Sequence, residues 1–169
     1  MPKFNWFFIL ATSIIPLAVG LLYYHQAVLG KVAARYSPAI GQGFTPKIYA
    51  YFLLLGVFLS VFLLPVVFHI MHVYSLIGQP GGGPPPEDSV IYLDSMAYLE
   101  KYGGNFLTFK HGMFHGILTA LFGIWPVLAI SGFLEKRQWQ YTAVQLGYWV
   151  IVFALMGGFI NAFGFVALK

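Results

Sequence analysis

The chain has 169 residues, 59% of them hydrophobic and 8% charged, with a formal net charge of +4. Soluble domains carry about 25% charged residues, so this composition belongs to a chain dissolved mainly in lipid. The absence of cysteine excludes disulfides, thiolate metal sites and thiol nucleophiles, and the scattered basic residues form no phosphate-gripping patch, so nucleic acid is not an expected partner.

Crossing the hydrocarbon core takes about 20 consecutive apolar residues, and without water to satisfy the backbone such runs must be helical. Runs of this kind occupy residues 4–24, 48–72, 112–134 and 141–168. The expected fold is therefore all-α: one transmembrane domain over residues 1–169, an integral membrane four-helix bundle. The first run is too long for a signal-peptide core and lacks a clear small-x-small cleavage site. Pro16, Pro65 and Pro126 fall inside the first three runs, where kinks are expected.

The first connection carries Lys31, Arg35 and Lys47, and the third, residues 135–140, carries Lys136 and Arg137 against Glu135. Positive charge favours the cytoplasmic side, which places these two connections there and both termini on the opposite side. The second connection, the external loop 73–111, opens with the irregular spacer GQPGGGPPPED. After it, Asp88 or Ser89 can start a helix and Gly103 or Gly104 can end it. Tyr92, Met96 and Leu99 among charged neighbours make that segment a short amphipathic surface helix.

Helices in lipid associate through close packing of small residues. Gly112, Gly116 and Ala120 form such a stripe on the third span, and Ala154, Gly158 and Ala162 form one on the fourth, reinforced by Gly157 and Gly164. A tight antiparallel hairpin of spans three and four is expected.

An up-and-down bundle brings His69 and His72 at the end of the second span towards His111 and His115 at the start of the third, with Asn161 at similar depth. His25 ends the first span on the other side. Pairs of histidines three or four apart share a helix face and suit a metal, a haem or a proton relay. They suit interhelical hydrogen bonding equally, for instance His115 to Asn161, and no H-E-x-x-H or similar signature accompanies them. No cofactor is expected on balance, with haem or metal as the alternative. The five acidic residues lie in connections, and no nucleophile or phosphate-loop motif is present, so the chain reads as non-catalytic.

The opening NWFFILATSIIPLAVGLLYYHQAVLGK, the segment FLTFKHGMFHG, the connection LFGIWPVLAISGFLEKRQWQY and the closing GYWVIVFALMGG together resemble the bacterial four-span membrane proteins grouped as domain of unknown function 1761. Members tend to have a Trp-Tyr pair closing the first span, replaced here by Tyr23-Tyr24. Phe109, Lys110, His111 and Gly112 match their start of the third span, Phe133 to Arg137 the turn, and Gly147-Tyr148 the fourth span. The resemblance implies a bacterial four-helix membrane protein and imports no activity. The first reading is an accessory or scaffolding subunit of a larger inner-membrane complex, in contact with the lipid bilayer and other membrane proteins. A small redox or metal protein using the histidines is the alternative, and an oligomeric transporter or channel is third.

Overall fold

The computed structural model describes residues 3–37, 44–67 and 85–166, and four of its helices are long and apolar enough to cross a membrane. The first span, Trp6–Tyr23, consists of α1 (Trp6–Ala11) and α2 (Ile14–Tyr23). The break between them follows from Pro16, which has no N–H for the carbonyl four residues back and whose ring crowds that carbonyl. That carbonyl belongs to Thr12, and it accepts instead from Ile15 N–H at 2.9 Å in a tightened turn. Past Tyr24, a π-helical turn (Gln26–Gly30) leads into α3 (Lys31–Tyr36), so part of the first connection is helical.

The second span is α4 (Pro46–Val67), which starts two residues before the apolar run because proline suits a first helical turn. Pro65 lies inside it near the end of the described residues. The surface segment forms α5 (Val90–Tyr102): the Ser89 hydroxyl accepts from Tyr92 N–H at 3.2 Å, and Gly103 closes it with a 2.8 Å bond to the Leu99 carbonyl. Leu99 is buried and Met96 packs against the core, while Val90, Ile91, Leu93 and Tyr98 face outward.

The third span, Phe109–Leu134, joins α6 (Phe109–Thr119) to α7 (Trp125–Leu134) through a π-helical turn at Ala120–Ile124. It begins three residues before the uncharged run, because Thr108 caps it by accepting from His111 N–H at 3.3 Å. The π turn precedes Pro126 and absorbs the hydrogen bond that this proline cannot make. Leaving α7, Lys136 N–H bonds the Phe133 carbonyl at 3.1 Å and Arg137 N–H bonds Gly132 at 2.8 Å, the paired closure of a Schellman turn. Lys136 holds the left-handed position with φ 54°.

The fourth span is α8 (Trp139–Phe163). It ends at Gly164, earlier than its apolar run, because Phe165–Val166 pairs antiparallel with Lys3–Phe4. Asn5 N–H adds a bond to the Gly164 carbonyl at 2.8 Å, so residues 3–5 and 164–166 meet at one end of the bundle. α8 is the central helix: Val152, Phe153, Met156 and Ile160 are fully buried among Ile9 of α1, Leu63 of α4 and Ala120 of the third span. The result is an all-α bundle, as composition and hydropathy lead one to expect.

Candidate functional site

Side chains with hydrogen-bonding capacity gather at both ends of the bundle. At the end that holds the short strand pair, the first turns of α6 bring His111 and His115 onto one face, since positions four apart are neighbours on a helix. Their Nε2 atoms lie 3.1 Å apart and their ring centroids 4.6 Å apart. One ring must donate Nε2–H while the other accepts, or a single ion must sit between two lone pairs. Phe106 packs 5.1 Å from the His111 ring and Phe114 5.8 Å from His115. Among the described residues no third His, Cys, Asp or Glu completes a metal-binding group. His69 and His72 lie outside the described residues. His25 sits at the other end, where it caps a turn by accepting from Ala27 N–H at 3.2 Å.

Asn161, only 1% exposed, is joined not to His115 but to the chain entering α6. Its Nδ2 donates to the carbonyls of Phe106 at 2.7 Å and Thr108 at 2.9 Å. Its Oδ1 is buried without a hydrogen-bond partner among the described residues. Asn161 thus fixes the start of the third span against the fourth, and with it the helix that displays both histidines.

The small residues beneath this end set how closely α6 and α8 approach. A Cβ on Gly112 would overlap the Gly157 carbonyl and the Asn161 side chain, and one on Gly116 would overlap the Phe153 carbonyl. Ala120 continues this face, fully buried. On α8 the opposing positions are Phe153, Gly157 and Asn161, while Gly158 faces the Phe109 ring. Ala154 and Ala162 are half-buried on either side of that line.

At the other end, α2 delivers Tyr23 and Tyr24 to the first turns of α8. Tyr23 donates to the Val144 carbonyl at 3.0 Å, an approach for which Gly147 leaves room, since a Cβ there would overlap the phenol oxygen. Tyr24 donates to Gln145 Oε1 at 3.0 Å, and Tyr148 donates to the Pro16 carbonyl at 2.9 Å. Burial pushes the Tyr24 phenol above the usual tyrosine range, helped by Tyr148, Tyr23 and Tyr141 and opposed by the bond to Gln145. It therefore remains a neutral donor at physiological pH. Pro16, Tyr24, Phe52, Gln145, Tyr148 and Trp149 contribute to the lining of a cavity of about 330 Å³ beside this cluster. Sequence reasoning passed over this end. Its signal was Gln145, an amide inside a largely apolar span, which in a membrane is seldom idle.

Four apolar helices tied to one another by small-residue contacts and interhelical hydrogen bonds define a multi-pass α-helical membrane protein. The chain belongs to the family described as protein of unknown function (DUF1761), which matches residues 7–161 and so takes in both ends of the bundle. No curated protein and no solved structure matches it.

Proposed function

We propose that this protein is a non-catalytic accessory or scaffolding subunit of a larger assembly in a bacterial inner membrane, with both termini on the non-cytoplasmic side. The observation that carries this reading is Trp125. It is 50% exposed on the outer face of the third span, and its indole N–H has no hydrogen-bond partner among the described residues. The third span has 26 residues, about 39 Å of helix around a hydrocarbon core of about 30 Å. Trp125, nine residues before Leu134, therefore lies well inside the core rather than in the interfacial belt where tryptophans settle. An unpaired donor in hydrocarbon is costly, and an acceptor on a neighbouring membrane protein removes that cost. Phe122 and Phe133, 76% and 82% exposed, extend the same outward surface. The density of basic residues in the first and third connections supports the orientation.

The test is extraction in mild detergent followed by mass spectrometry of what co-purifies. A fixed set of membrane partners, lost or depleted with Trp125→Ala, is the expected result; a lone functional monomer would refute the reading.

A second reading, a small metal- or haem-binding redox protein, is favoured by the 3.1 Å approach of the His111 and His115 Nε2 atoms. An optical spectrum with metal analysis separates the two. A stoichiometric metal or haem that disappears in a His111→Ala, His115→Ala double variant promotes the redox reading over the scaffold.

A further inference from the structure

The cavity at the tyrosine end is bounded by α2, α4 and α8, with Phe44 at its edge. Its volume of about 330 Å³ is at the small end of ligand pockets, which span about 300–1,000 Å³, and suits a single ring better than a bulky cofactor. The walls are largely aromatic. Tyr24 and Tyr148 lie with ring centroids 5.4 Å apart and tilted 33°, and Phe44 and Phe52 lie 5.3 Å apart at 34°. Among the described residues no charged side chain lines the space, which disfavours an ionic ligand.

Its polar character is one-sided. The Tyr24 and Tyr148 hydroxyl hydrogens are directed to Gln145 Oε1 and the Pro16 carbonyl. The groups left over are both donors: the Gln145 amide NH2, whose oxygen Tyr24 holds, and the Trp149 indole N–H, neither of which has a partner among the described residues. Gln145 and Trp149, each with a donor that has no partner among the described residues, line an apolar, ring-walled cavity and call for an uncharged ligand that brings acceptors and no charge. Electron-poor planar rings stack well on electron-rich phenol and indole faces. Gln145 is six residues into α8, roughly 9 Å from its start, a depth where the headgroup of a lipophile with an apolar tail naturally lies.

From this arrangement we propose that the cleft between the first, second and fourth spans binds the ring of a quinone-class lipophile, with its carbonyl oxygens on Gln145 Nε2 and Trp149 Nε1 and its tail leaving past α4 into the bilayer. Leu55, 57% exposed on α4 and part of the lining, marks that exit. Tyr24 is a positioning residue, because its hydroxyl holds the Gln145 oxygen and so presents the NH2 to the ligand.

The experiment titrates the detergent-solubilised protein with a decyl-tailed 1,4-benzoquinone, following both tryptophan quenching and the rise in melting temperature. Saturable binding is expected, weakened about tenfold in Gln145→Met, the loss that goes with one buried hydrogen bond. A smaller loss is expected in Tyr24→Phe, which keeps the ring and frees the amide. Trp149→Phe should reduce the melting-temperature response, and this readout stands whether or not the Gln145 variant folds. Absence of saturation in the unsubstituted protein would overturn the proposal. So would equal binding in folded variants, or displacement by methyl dodecanoate as effective as by the quinone, which would make the cleft an acyl-chain site.

Discussion

Gly112 of the third span and Gly157 of the fourth meet backbone to backbone, each occupying space that a Cβ on the other helix would fill. Overpacking a close helix crossing displaces both backbones and costs about 1–3 kcal/mol. Gly112→Ala and Gly116→Ala should each destabilise the bundle by that amount in a reversible unfolding titration in micelles. Gly104→Ala, where an added Cβ meets nothing within 4 Å, should be close to neutral. Equal behaviour of the three variants would mean that the spans are not this close.

Asn161 carries two bonds to the carbonyls just before α6. Asn161→Ala leaves both carbonyls without their side-chain donor, at a cost of about 1–3 kcal/mol. Faster amide exchange is expected over the start of α6, with exchange in α2 unchanged. Uniform change along the chain would indicate global loosening instead.

Thr12 and Ser60 join the first and second spans by a buried hydroxyl–hydroxyl bond of 3.0 Å. Each hydroxyl also has a backbone carbonyl on its own helix, Ile9 for Thr12 and Gly56 for Ser60. That fallback keeps the pair modest. A double-mutant cycle with Thr12→Val and Ser60→Ala should yield a coupling of about 0.6 kcal/mol, in the range measured for hydrogen bonds between membrane helices. A coupling near zero would mean the pair is incidental.

Lys136 occupies the left-handed position that closes α7, with φ 54°. A side chain costs about 1 kcal/mol there and glycine almost nothing. Lys136→Gly should therefore stabilise the bundle by about that much. A loss of stability would show that the lysine charge matters more at this turn than its backbone conformation.

The 3.1 Å Nε2 separation of His111 and His115 is close to the about 3.3 Å that two tetrahedral zinc ligands at about 2.0–2.1 Å would have. On the metal-binding reading, added Zn²⁺ should raise the melting temperature of the purified protein, and His111→Ala or His115→Ala alone should abolish the rise. If both single variants keep it, the metal binds elsewhere.

Much of this architecture was legible beforehand, for definite reasons. Hydrocarbon admits helices and excludes charge, so the spans follow from uncharged length alone. Ser89 and Gly103 set helix ends through local bonds that reach no further than four residues, whereas the Thr108 cap that starts the third span at Phe109 was not foreseen. What remained open were choices between faces. Successive helix residues point about 100° apart. The fourth span offers glycine at both 157 and 158, and its composition suits either stripe. Only the third span, in place, assigns Gly157 to the crossing and Gly158 to the Phe109 ring.

The sequence by itself determined that the chain holds four apolar helices of membrane-crossing length and that His111 and His115 share a face, because each of these depends on hydrophobic length or on the helix repeat. Tertiary structure alone decided that Asn161 holds the chain before α6 and that Tyr24 is directed to Gln145 beside an aromatic cavity. Those contacts join residues 53 and 121 positions apart, and the bundle had to form before either pair had a partner.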